Sequence, residues 1–124
     1  MITTIVSDFY GVLWKPGINQ ELLDFYKSLK PKTTLHIFTS ARDLNFSEIE
    51  GIFGQIISGE KEDLRKQDPS AYLVVAEKIG KMPEEILYID DLPENIEAAK
   101  KAGMQTILYT RNEEVMKEIR SSIN

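Results

Sequence analysis

Carboxylates, hydroxyls and one lysine interrupt the apolar runs of this chain at points where they could meet. Asp8 follows the run Ile2–Val6, Thr39 and Ser40 follow Thr34–Phe38, Ser58 follows Gln55–Ile57, and Asp90-Asp91 follows Ile86–Ile89. Carboxylates brought together from different segments repel one another unless a cation lies between them. A hard ion such as Mg2+ suits them, because it commonly takes one or two carboxylates, waters and a substrate phosphate. The Thr39 hydroxyl, with free amides at the start of a following helix, suits a phosphate oxygen. Lys66, just before Asp68-Pro69, neutralises the charge that remains. Such a set of groups describes phosphoryl transfer.

Those residues can converge only if the intervening segments form one sheet. Ile2–Val6, Thr34–Phe38, Gln55–Ile57, Ile86–Ile89 and Thr106–Tyr109 read as short buried strands. Between them, Leu22, Phe25, Tyr26 and Leu29 recur at helical spacing until Pro31. A less regular helical stretch is expected up to Phe53, and Glu60–Gln67 reads as a solvated, charged loop. Asp68-Pro69 opens a helix that closes at Gly80, Pro93 opens Glu94–Ala102 with Gly103 as its stop, and Asn112 caps the last helix. Five alternations of strand and helix predict an α/β fold, with right-handed crossovers and a parallel sheet covered on both faces. Ligands of such sheets sit beyond the carboxyl ends of the strands, where the polar residues stand here.

Composition narrows the possible functions. At 124 residues, against about 150 for a typical domain, the expectation is one domain over residues 1–124. With 20 acidic and 15 basic side chains and a net charge of -5, no nucleic-acid partner is expected. The chain has no cysteine and one histidine, His36, which excludes thiolate zinc sites, cysteine nucleophiles and disulfide scaffolds. No apolar run reaches the roughly 18 residues of a membrane span, so no membrane partner is expected. MITTIVSDF lacks the pattern of a secretory signal, and the expected compartment is the cytoplasm.

Four motifs, in order, resemble the haloacid dehalogenase-like hydrolases, a superfamily dominated by Mg2+-dependent phosphatases. They are DFYGVL (Asp8–Leu13), LHIFTSA (Leu35–Ala41), KQDPSAY (Lys66–Tyr72) and ILYIDDLPENIEAAKKAGM (Ile86–Met104). The resemblance implies a Rossmann-like three-layer domain with a five-stranded parallel sheet, in the order fifth, fourth, first, second, third. It also implies that Asp8 is a nucleophile giving an aspartyl-phosphate. Mg2+ would be held by Asp8, the backbone carbonyl of Tyr10 and Asp91, with Asp90 as a further partner. Thr39, Lys66 and Ser40 would cradle the phosphoryl group of a phosphorylated small molecule or macromolecule.

One position departs from the family. Most of its phosphatases carry a second aspartate two residues after the nucleophile, as acid and base, and this chain has Tyr10 there. Tyrosine at that place resembles the 2-haloacid dehalogenases, yet Asp90-Asp91 and Asn95 follow the magnesium form. About 25 residues separate Leu13 from Thr39, too few for a cap domain. Three readings follow: a phosphohydrolase with weakened acid-base chemistry, a phospho-ligand or protein-binding relative of low activity, and a dehalogenase. An uncapped site is open to water, and a second copy of the chain or a large substrate would close it. Rival readings are structural. Asp91 could cap the helix behind Pro93, Lys66 could be solvated, Tyr10 could be a packing residue, and Trp14 could anchor its loop. His36, Tyr72 and Tyr88 read as structural residues on strands and helices.

Overall fold

A computed structural model describes residues 1–123. Thr4–Ser7 (β1), Thr34–Thr39 (β2), Ile56–Ser58 (β3), Ile86–Asp90 (β4) and Gln105–Leu108 (β5) are its strands. All pair in parallel as one sheet, ordered β3-β2-β1-β4-β5, which is the order the resemblance implied. The helices are Gln20–Ser28 (α1), Gly59–Glu62 (α2), Pro69–Ile79 (α3), Pro93–Lys101 (α4) and Asn112–Ile123 (α5). β1, β2 and β4 are buried on both sides almost throughout, as apolar runs in a covered parallel sheet should be, while the edge strand β5 buries only Ile107. None of the described helices is long and apolar enough to cross a membrane.

Alternation along each strand assigns its side chains to two layers. Ile5, Ile37, Leu87, Ile89 and Ile107 pack with Leu22, Leu23 and Tyr26 of α1 and Val115 and Ile119 of α5. Val6, Phe38, Ile86 and Tyr88 pack with Tyr72, Val75 and Ala76 of α3 and Ile96, Ala98 and Ala99 of α4. Asp8 and Asp90 continue the Val6 and Tyr88 phase. They therefore emerge toward the α3–α4 layer.

Two expectations need correction. The stretch after β2 is not a longer helix; only Ser47–Ile49 forms a 3-10 turn there. Leu44, Phe46, Ile49, Ile52 and Phe53 cover the α1–α5 core layer from an irregular path, and Gly51, in the left-handed region at φ +75°, breaks any continuation. The segment Glu60–Gln67 is not a solvated loop throughout. Ser58 caps α2 by accepting from the Lys61 amide at 3.1 Å, and the chain then turns inward so that Lys66 is buried.

Candidate active site

Strand register creates the site before any side chain is considered. Ser7 pairs with Ile89, and the Asp8 amide donates to the Ile89 carbonyl at 2.8 Å. One step further, Asp8 and Asp90 lie side by side on the same face. Oxygens of Asp8, Asp90 and Asp91 all fall within 4.8 Å of one another. Lys66 answers this concentration of charge. Its ammonium donates to Asp8 Oδ1 at 2.6 Å and to Asp90 Oδ2 at 3.2 Å. The Lys66 side chain is 4% exposed, lies 5.2 Å from the Phe38 ring centre, and its carbonyl accepts from the Tyr72 hydroxyl at 2.7 Å.

Asp8 and Asp90 share that ammonium unequally. Burial would raise Asp90, but Lys66, the Tyr88 hydroxyl, the Leu92 amide and the Asn95 side chain together hold it below the usual carboxylate range. Asp8 has Lys66 as its side-chain donor; burial outweighs that help, Asp90 and Asp91 add repulsion, and its pKa is pushed up to about 7. Asp91 is raised too, by partial burial and then by the hydrogen bond and charge of Asp90.

These shifts have measurable consequences for stability. An unfolded aspartate titrates near 3.8, so between about 4 and 7 the folded chain keeps a proton on Asp8 that the unfolded chain releases. Asp8 therefore contributes less stability as pH rises through that window, and its ionised form costs on the order of 2–4 kcal/mol above it. In metal-free buffer, the melting temperature of Asp8→Asn relative to the natural protein should rise from pH 5 to pH 8. Lys66→Met keeps the apolar stem beside Phe38 but leaves two buried carboxylates without their cation. Urea unfolding at neutral pH should show a loss of about 3–5 kcal/mol, shrinking at acidic pH as Asp8 takes a proton.

Gly11 explains how Asp91 fits. Gly11 has φ +94°, and a Cβ there would stand 2.7 Å from the Asp91 carboxyl carbon. Only glycine lets the backbone after Tyr10 press against that carboxylate. The Tyr10 carbonyl accepts no hydrogen bond among the described residues. Thr39 is buried at the end of β2; its hydroxyl accepts from the Ala41 amide at 3.1 Å and keeps its proton to donate. Ser40 is exposed, outside the buried cluster. Asp91 does not cap α4, whose N-cap position is Leu92 and which has no side-chain cap bond; Asp90 accepts from the Leu92 amide at 3.1 Å in the turn before it. Tyr10 is exposed, while Trp14 is half-buried beside it. His36 accepts from the Gln55 amide through Nδ1 at 3.0 Å, a structural role.

Two participants, Tyr72 and Tyr88, were hidden among residues read as core, and a third, Asn95, was read only as part of the fourth motif. Tyr88 and Asn95 both bond the Asp90 carboxylate, and Tyr72 fixes the Lys66 backbone. The two-residue period of β4 was the available signal for Tyr88, since Tyr88 and Asp90 must share a face. Volume is found elsewhere: a cleft of about 430 Å³ lies between Leu44, Phe46, Ile49 and Phe53, and none of the aspartates lines it.

The geometry can be compared with known proteins. The sequence profile described as haloacid dehalogenase-like hydrolase matches residues 26–109. Enolase-phosphatase E1 of Persephonella marina is 33% identical over 128 residues, covering 90% of this chain and 56% of its own length. The chain thus spans about half the length of that curated relative. A predicted hydrolase of the same family from Porphyromonas gingivalis superposes with a TM-score of 0.83 at 17% identity, covering 100% of this chain and 98% of its own. A family enzyme of Bacteroides thetaiotaomicron, solved in complex with magnesium and inorganic phosphate, has a TM-score of 0.66 at 20% identity, covering 75% of this chain and 53% of its own. These two structures speak for the fold alone. The matched profile spans β2 to β5, more than half of the chain, and includes Lys66 and Asp90, so this chain belongs to the haloacid dehalogenase-like hydrolases.

Proposed function

We propose that residues 1–124 form one Mg2+-dependent phosphohydrolase domain acting on a phosphorylated small molecule through Asp8. The observation that carries this reading is the buried ammonium of Lys66 set between Asp8 and Asp90, with the Asp91 carboxylate alongside. The phosphatase name of the curated relative supports the substrate class.

The residues present fit a magnesium ion. All candidate donors are hard oxygens, and Asp8 and Asp91 are raised carboxylates in want of positive charge. Asp90 is already engaged by Lys66, Tyr88, Asn95 and the Leu92 amide. Asp8, Asp91 and the Tyr10 carbonyl would therefore hold the ion, with Asp90 behind them. When bound, Mg2+ supplies charge neutralisation for the carboxylates and the phosphoryl oxygens.

Everything else is work for side chains. Lys66 and the Thr39 hydroxyl bind phosphoryl oxygens and orient phosphorus toward Asp8. An Asp8 oxygen forms a bond to phosphorus while the bond to the leaving oxygen breaks, its electron pair departing with that oxygen. Water then attacks phosphorus, the bond to Asp8 breaks, and phosphate leaves with the carboxylate restored. Tyr10 supplies no carboxyl proton to the leaving oxygen, so substrates that need little acid assistance are favoured.

Acetyl phosphate is the matching probe. Phosphate should be released with Mg2+ and not in chelator. Saturating Mg2+ at about 100 times its Kd should add about 2.7 kcal/mol and raise the melting temperature by several degrees, an effect lost in Asp91→Asn. The absence of both phosphate release and a melting shift would overturn the reading. Saturable retention of a phospho-ligand without turnover would instead support the binding relative, which Tyr10 in place of an acid favours.

A further inference from the structure

We propose that an aromatic shelf of Tyr10, Trp14 and Phe46 receives the leaving group, and that the substrate is a phosphorylated phenol. This rests on the phosphohydrolase reading and adds the identity of the leaving group.

The shelf is a built surface. The Tyr10 ring lies 4.9 Å from Phe9 at 90°, 5.8 Å from Trp14 at 69° and 6.3 Å from Phe46 at 71°. Neighbours meet it at steep angles, and Tyr10 nevertheless stays 43% exposed. A face is therefore left for another ring, in the offset or edge arrangements that aromatic pairs prefer. The backbone holds the loop in place. Gly11 donates to the Trp14 carbonyl at 2.9 Å, Leu13 and Trp14 donate to the Phe9 carbonyl at 2.7 and 3.1 Å, and Asn19 donates to Leu13 at 2.7 Å. The loop that carries the shelf borders the carboxylates, since Tyr10 is two residues past Asp8 and the Gly11 backbone stands against Asp91.

Leaving-group chemistry points the same way. Where a carboxylic acid would protonate an alkoxide, this chain offers an exposed phenol. A phenol leaves with a pKa of about 10, far below that of water, which alkanols resemble. As Asp8 bonds to phosphorus, the aryl oxygen departs as phenolate with the bonding pair and takes its proton from solvent. The shelf stacks the ring whether it is free or on a tyrosine side chain.

Non-hydrolysable phosphonates test the shelf without turnover, and Trp14, the sole tryptophan, reports binding by fluorescence. With Mg2+ present, phenylphosphonate should bind roughly 3- to 10-fold tighter than methylphosphonate. Tyr10→Leu, which keeps apolar volume but removes the ring, and Phe46→Ala should each bring that ratio close to one. Turnover provides a second arm. Phenyl phosphate or a phosphotyrosyl peptide should be preferred over glycerol phosphate, and which of the two is better identifies the source of the ring. Equal binding of the two phosphonates, or a preference unchanged in Tyr10→Leu, overturns the shelf even if acetyl phosphate is hydrolysed. Loss of acetyl phosphate hydrolysis alongside a retained aryl preference in binding would overturn the hydrolase reading and leave the shelf standing.

Discussion

Asp8→Asn should stop phosphate release, with kcat/KM on acetyl phosphate falling on the order of 10⁴- to 10⁶-fold, the size of loss seen when a nucleophile that acts with its partners is removed. The substitution preserves shape and one acceptor oxygen, so Lys66 keeps a partner there and retains Asp90 at 3.2 Å. Folding should survive, and above neutral pH stability should even gain, because a buried raised carboxylate disappears. Loss of activity with an intact fold therefore reports on chemistry. A variant still within tenfold of the natural protein would move the nucleophile elsewhere.

Tyr10→Asp should act in the opposite direction. A carboxyl at this exposed position restores a group able to protonate an alkoxide and later to deprotonate water, and general acid-base help is typically worth ~10²–10⁴-fold. Glycerol phosphate should benefit most, since its leaving oxygen is the more basic. Aryl phosphates should gain much less, because the same change removes the ring at the centre of the shelf. No gain on the alkyl ester would mean that a carboxyl at position 10 cannot reach the leaving oxygen.

Much of this arrangement was legible in the amino-acid order. β-branched runs ending in Asp8, Thr39, Ser58 and Asp90 name both the strands and the edge at which they finish, because a covered parallel sheet requires apolar strands and tolerates charge only beyond them. Lys66 was harder to place. Within EKEDLRKQD its charge looks like solvated surface, and only the turn after α2 and the Tyr72 hydroxyl bring it inward. The stretch from Leu44 to Phe53 misled for a related reason: its apolar spacing mimics a helix, while the core layer beneath needs a cover and not a cylinder. Ser40 follows Thr39 but lies exposed, one residue past the end of β2, where the covering layers no longer enclose the chain. Tyr72 and Tyr88 were legible as buried rings, yet their hydroxyls became meaningful only once a buried carboxylate and a buried lysine backbone stood within reach.

The central position of β1 sets an order of events at the ribosome. The chain emerges N-terminus first, at about 5–20 residues per second. β1 can dock on β2 early, but its other edge stays open until β4 is made, much later in translation. For that interval a bare strand edge, of the kind that recruits foreign strands, is exposed to its surroundings. Lys66 is translated after Asp8 and before Asp90, so the cation is already available when the second carboxylate arrives. Stalled nascent chains that end just short of β4 would therefore be the species that a chaperone must shield.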